Sequence, residues 1–239
     1  MLAIAHHELR QLVRNRAVLI AGLLMPMAAS AFIIRSRDMF EGDGGLGYIG
    51  AVLVFTIGGF SLYATTVTTL AGRRQTLFLK RLRSTAAGDL AILTGLVLPV
   101  SAIALVQVAV ILTVLAAVTG GPAHAGLLAL AILSSFALLL ALGLATAGMT
   151  NSPEHAQVTA LPLSLGTIAV ASWVGITGTE SLAALKRLLP GGASTELIVD
   201  AWNGGAPLAD SLLLLLPTLV WLGVAIVLAA RMFRWEPRR

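Results

Sequence analysis

The stretch Leu90–Pro153 reads LAILTGLVLPVSAIALVQVAVILTVLAAVTGGPAHAGLLALAILSSFALLLALGLATAGMTNSP, 64 residues with no Asp, Glu, Lys or Arg among them. A helix of a soluble domain seldom runs much past about 20 residues, and each membrane crossing needs about 20 apolar ones. The stretch therefore crosses a membrane twice. The rest of the chain agrees: of 239 residues, 57% are hydrophobic and 11% charged, against about a quarter charged in an ordinary soluble domain. Runs such as Leu212-Leu213-Leu214-Leu215-Leu216 lack the alternation of a transmembrane β-barrel. The class is all-α, a polytopic membrane protein with one transmembrane domain over residues 1–239.

Working outward, the apolar segments make six spans, at about 17–34, 48–70, 91–118, 126–149, 157–177 and 211–231. Each is long enough for a hydrocarbon core of roughly 30 Å. The third is long, which predicts tilt or an interfacial end, and Pro99 is its candidate kink. Pro26 and Pro162 lie inside other spans, where neighbouring helices can satisfy the carbonyls they free. The first run follows basic residues, and Ala29-Ser30-Ala31 mimics a signal-peptide cleavage site. The long polar lead and the many later spans favour a first span instead.

Six spans put both termini on one side. Twelve basic residues fall on that side: Arg10, Arg14, Arg16, Arg73, Arg74, Lys80, Arg81, Arg83, Arg231, Arg234, Arg238 and Arg239. Four fall opposite: Arg35, Arg37, Lys186 and Arg187. The positive-inside rule then makes the termini and the 71–90 loop cytoplasmic. Residues 1–16 carry Leu2, Ala5, Leu9 and Leu12/Val13 at helical spacing, with Arg10 and Arg14 on another face, as an amphipathic interfacial helix does. Between the last two spans, Leu182, Leu185, Leu188 and Leu189 predict one short helix. A second, capped by Ser194 and stopped by Asn203-Gly204-Gly205, carries Trp202 as an interface aromatic. Together they read as an outer helical hairpin.

The spans hold no acidic or basic residue away from their ends, so ion-coupled transport lacks its usual machinery. No G-x-x-x-x-G-K-[ST] phosphate loop exists, so ATP hydrolysis would have to come from a partner. His6-His7-Glu8 is not the metalloprotease H-E-x-x-H, and no G-x-S-x-G elbow occurs. The chain has no Cys, and its scattered aspartates form no metal cluster. Catalytic and metal sites are therefore expected to be absent. Glu41 and Asp43 belong to a solvated outer turn. Net charge of +5 reflects cytoplasmic loops and lipid head groups rather than a nucleic-acid partner. Gln107 stands alone in the third span. The hydroxyls of Ser61, Thr65, Thr68, Thr69, Ser164 and Thr167 either bond back to their own helices or line a substrate pathway.

The second-to-third loop holds Arg73-Arg74-Gln75-Thr76-Leu77-Phe78-Leu79-Lys80-Arg81-Leu82-Arg83-Ser84-Thr85, five of the sixteen Lys/Arg in the chain. Leu79 and Leu82 predict an apolar ridge, and the cations predict steering and ion pairs. With the basic N-terminus, six spans and the helical segment before the last span, the chain resembles a type-2 ABC transporter permease. Thr76, Leu82, Arg83 and Thr85 fit the family's loop pattern of glycine, hydroxyl, leucine, cation, hydroxyl and proline. Gln75 stands at the glycine position, Ala86 at the proline, and Arg73-Arg74 where an acidic residue is common.

The resemblance implies a coupling helix at Arg73, Arg74, Thr76, Leu79, Leu82, Arg83 and Thr85 that docks on an ABC ATPase subunit. It implies ATP and Mg bound by that partner, with no cofactor in this chain. It also implies a second permease subunit, in a homodimer or heterodimer, in the cell membrane of a bacterium. The absence of buried charge points to a hydrophobic or amphipathic cargo. Two other readings are open on the residues: a membrane assembly or immunity protein without an ATPase, and a secondary transporter.

Overall fold

The computed structural model describes residues 2–37, 45–85, 87–150, 152–233 and 235. Among these the secondary structure is helical without a strand. The amphipathic α1 (Leu2–Arg14) leads into α2, built from Arg16–Leu19, a π-helical turn Ile20–Leu24 and Met25–Arg35. The long helix α3 (Gly45–Gln75) has a π-helical centre, Gly58–Ala64. A short α4 (Phe78–Arg83) precedes α5 (Asp89–Thr119), α6 (Ala125–Met149) and α7 (Pro153–Thr177). Then come α8 (Ala183–Leu188), α9 (Gly192–Asn203) and α10 (Leu208–Met232). Five of these, α3, α5, α6, α7 and α10, are long and apolar enough to cross a membrane, and Ile20–Arg35 is a shorter apolar helix. The Glu41/Asp43 turn and Ala86 lie outside the described residues.

Local chemistry sets the helix ends. Asp89 sits in the first turn of α5, where a negative charge favours the dipole, and Gly120 at φ 93 ends that helix. The Ser152 hydroxyl caps α7 by accepting from the His155 N–H at 3.3 Å, with Pro153 behind it where no amide donor is needed.

The second arm of the outer hairpin departs from expectation. Its helix begins after Gly191, whose φ of 93 reverses the chain, and not at Ser194. Ser194 lies inside α9, its hydroxyl 2.8 Å from Thr218 Oγ1 on α10. Trp202 is 4% exposed, and Leu197, Ile198 and Ala201 are sealed. The arm packs against α3, α6 and α7, so Trp202 is a core residue and not an interface anchor.

The core is built around α3. In its most apolar window 83% of residues are buried, against 17% in α10, so α3 is the axis and α10 the outermost helix, laid along α6. Small residues let the helices close in. A Cβ on Gly175 of α7 would stand 1.9 Å from Tyr48 Cδ2 on α3.

Candidate functional site

Buried hydroxyls and amides first repair the two π-helical turns. Pro26 has no N–H, so the Gly22 carbonyl four residues earlier lacks its α-helical donor. The Ser61 hydroxyl of α3 donates to that carbonyl, and Gln107 Nε2 of α5 donates to the next one, Leu23 O, at 3.3 Å. Within α3, Ser164 Oγ of α7 donates to Gly59 O at 2.9 Å, and Thr65 Oγ1 reaches Phe60 O at 3.1 Å. Thr68 donates to Ala64 O at 2.9 Å, and Thr167 to its own helix at Leu163 O, 3.1 Å. Cross-helix bonds of this kind join α2, α3, α5 and α7 in a medium with no water to compete. Gln107, isolated in the sequence, is thus the link between α5 and α2.

Two adjoining cavities open between α1, α2, α3 and α7. A polar vestibule of about 620 Å³ is lined by Arg10, Arg14, Thr68, Thr69 and the Glu8–Arg73 pair. A more apolar chamber of about 580 Å³ is lined by Ala21, Phe60, Thr65, Thr68, Leu161 and Ser164, with Glu154 at its edge. Asn15, Val18, Thr68 and Pro153 belong to both walls. Of the six hydroxyl residues expected on a pathway, Thr65, Thr68 and Ser164 meet in the chamber and Thr69 in the vestibule. Ser61 faces a smaller apolar groove of about 210 Å³ between α1, α2 and α5. Thr167 is buried at 4% exposure and lines none of these spaces.

The basic loop divides into a root and an exposed face. Arg73 forks onto Glu8 of α1, with Nε–Oε2 at 3.0 Å and Nη2–Oε1 at 2.8 Å, and its guanidinium lies 5.7 Å from the Phe78 ring centroid. Glu8 is 1% exposed and Arg74 3%. Leu79 is also sealed at 1%, and Leu82 packs against the core. The outward ridge read on Leu79 and Leu82 therefore points inward, because α4 must bury its apolar side against the bundle. What faces out is Gln75, Thr76, Leu77, Lys80, Arg81, Arg83, Ser84 and Thr85. Arg83 bonds Asp89 at 3.2 Å and lies 5.2 Å from the Trp235 ring centroid.

Leu77 turns the chain into α4 with φ 58, a left-handed conformation costly for a side-chain-bearing residue, and 46% of it is exposed. The backbone position that favours glycine is therefore Leu77, two residues after Gln75.

At the opposite end Lys186, 1% exposed, reaches the last carbonyls of α7, with Nζ 2.6 Å from Gly178 O and 2.8 Å from Thr177 Oγ1. A cation there satisfies orphan carbonyls and the negative dipole end. Beside it Arg187 forks onto Glu196 at 2.7 Å twice, which raises the Arg187 pKa.

The model of the ABC-2 family transporter proteins matches residues 9–231. The chain belongs to this family. No curated protein and no solved structure matches it. The match runs from inside α1 to the last turn of α10, so the end of α1, the basic loop, α8 and α9 all lie in the matched region of a multi-pass ABC-2 permease. Families of this kind are membrane transport components and typically work with an ATPase subunit.

Sequence reasoning missed three residues of this permease: Glu8, Leu77 and Gln107 as a cross-helix donor. Glu8 had a legible signal, as an acid on the apolar side of an otherwise basic helix. Leu77 had none, because a positive φ at leucine leaves no mark in composition.

Proposed function

We propose that the chain is the membrane subunit of an ATP-driven exporter with six spans, α2 serving as the first, and with both termini and α4 in the cytoplasm. The twelve-to-four distribution of basic residues supports that orientation. The observation that carries the reading is the construction of α4: rooted by Leu79 and the Arg73–Glu8 fork, it presents Leu77, Lys80 and Arg81 outward on one face. A rigid, cationic prong with one apolar knob is a surface that a separate ATPase subunit can grip and push. Two permease subunits, identical or related, would enclose the chamber between them. ATP binding by the partner would draw the two prongs together and shift the inward-open state to the outward-open one.

The chamber supports a hydrophobic or amphipathic cargo in the lipid, drug or glycolipid class, because its walls are mostly apolar and the hydroxyls of Thr68 and Ser164 are engaged in their own bonds. The test is co-purification from a membrane with a nucleotide-binding subunit. The double variant Leu77→Asp with Arg81→Glu is expected to lose that subunit while the permease itself still folds. Full retention of the ATPase by the double variant defeats the docking assignment. ATPase activity of the complex stimulated by hydrophilic ions but not by lipophilic compounds defeats the cargo assignment.

A further inference from the structure

The vestibule and the chamber differ in chemistry in a way that specifies a ligand. In the vestibule, both oxygens of Glu8 accept from Arg73, through Nε and Nη2, so that acid and that base cancel. Arg10 and Arg14 remain as exposed cations on the same wall, and neither has an ion-pair partner among the described residues. Thr68 and Thr69 stand opposite on α3. The chamber beyond is mostly apolar, with Val18, Ala21, Phe60, Ala64, Ala160 and Leu161, and its polar side chains other than Glu154, which are Asn15, Thr65, Thr68, Gln157 and Ser164, are uncharged. Its carboxylate, Glu154, is exposed in the first turn of α7, while Arg10 and Arg14 belong to α1. One end of the joint space therefore attracts an anion and the other takes a hydrocarbon chain. Val18, Thr68 and Pro153, shared by both walls, mark where the two meet.

Resting on the permease reading, we propose that this joint space is a loading site for an anionic amphiphile, with a phosphate or carboxylate head at Arg10 and Arg14 and its chain along the α2–α3–α7 chamber. The fork that neutralises Glu8 keeps the vestibule positive as well as rooting α4. A free inorganic anion fits the first half only and a neutral lipophile the second half only.

The full chain, purified and held in nanodiscs of zwitterionic phosphatidylcholine, tests this directly. The native chain has no cysteine, so Gln157→Cys carries one environment-sensitive fluorophore in the chamber wall. Dodecyl phosphate is expected to give a saturable signal, and dodecyltrimethylammonium to bind about tenfold more weakly or worse. Inorganic phosphate is expected to give no signal and not to displace dodecyl phosphate at equal concentration. R10Q/R14Q is expected to weaken dodecyl phosphate about tenfold or more, whereas R35Q at the end of α2, which lines neither cavity, leaves binding unchanged. Equal affinity for the two amphiphiles, displacement by inorganic phosphate, or unchanged binding by R10Q/R14Q each overturns the proposal. Arg10 and Arg14 are exposed, so these variants do not disturb the core. Because binding is read without nucleotide or partner, it is separable from the exporter reading. Binding as expected in a chain whose reconstituted complex shows no ATP-driven transport overturns the exporter and keeps the site. Transport without selective binding does the reverse.

Discussion

Neutralising Arg73 should free α1 far more than neutralising Glu8, although the two residues share the same two hydrogen bonds. The Glu8 side chain is 1% exposed and that of Arg73 21%. Arg73→Gln strands a carboxylate in a dry place without its charge-assisted donors, and breaking a buried pair from that side costs about 3–5 kcal/mol. Glu8→Gln leaves a guanidinium that water still reaches over a fifth of its surface and that keeps the Phe78 ring at 5.7 Å. That loss is about 1–2 kcal/mol. The difference, about 2 kcal/mol, is roughly thirtyfold in an opening equilibrium.

Leu12 of α1 is 5% exposed, and the absence of native cysteine lets Leu12→Cys report opening by its maleimide labelling rate. E8Q should raise that rate about tenfold and R73Q by more than about a hundredfold. The double variant E8Q/R73Q, with two neutral groups facing each other, should fall near E8Q alone. If E8Q opens α1 as far as R73Q, or if the double variant matches the product of the singles, the asymmetry of burial is not what holds α1 to the loop.

Three further outcomes follow from single positions. Leu77→Gly should raise the melting temperature by a few degrees, since leucine at φ 58 costs about 1–2 kcal/mol. Its transport with the ATPase should fall nonetheless, so a variant that melts lower, or transports as wild type, contradicts the double role given to Leu77. Gly192→Ala would place a Cβ 1.8 Å from the Lys186 carbonyl, forcing the outer turn apart. A loss of about 1–3 kcal/mol in chemical denaturation is expected, and an unchanged midpoint would show that the turn gives freely.

Burial is the main cause that pushes the Asp200 carboxyl above its ordinary value, with the nearby Glu196 charge adding to it, against the Ser211 hydrogen bond that lowers it. A raised folded pKa means a contribution to stability that is complete below the unfolded pKa and lost as pH rises through the folded one. Asp200→Asn keeps an acceptor for Ser211 Oγ, 2.9 Å from Asp200 Oδ2. It should therefore be more stable than wild type at neutral pH, with the advantage vanishing below about pH 4. Denaturation midpoints across that range that run parallel for the two proteins would rule this out.

Much of the architecture was legible in the chain itself. The absence of charge from Leu90 to Pro153 fixed the membrane class, and each expected span from 48–70 onward has a long apolar helix over it. The segment expected at 17–34 is helical, but its apolar helix, Ile20–Arg35, is shorter than the other five and contains a π turn and Pro26. The loop 73–85 announced itself by its cations. Its exposed face did not: the reading put Leu79 and Leu82 outward, and the structure turns them in and puts Leu77 out. Ser194 and Trp202 failed for the same reason, since both have uses at a surface and the fold needed them inside.

The sequence alone determined partition. Hydropathy decides which segments leave water, and positive charge decides which ends stay in it, because both are one-body properties of a residue and its solvent. Only the tertiary structure decided which side of each apolar helix meets protein and which meets lipid. The two environments are equally apolar, so periodicity carries no signal there. That choice is made by pairs far apart in the chain: Gly175 against Tyr48, Ser61 on the carbonyl that Pro26 leaves open, and Glu8 on Arg73.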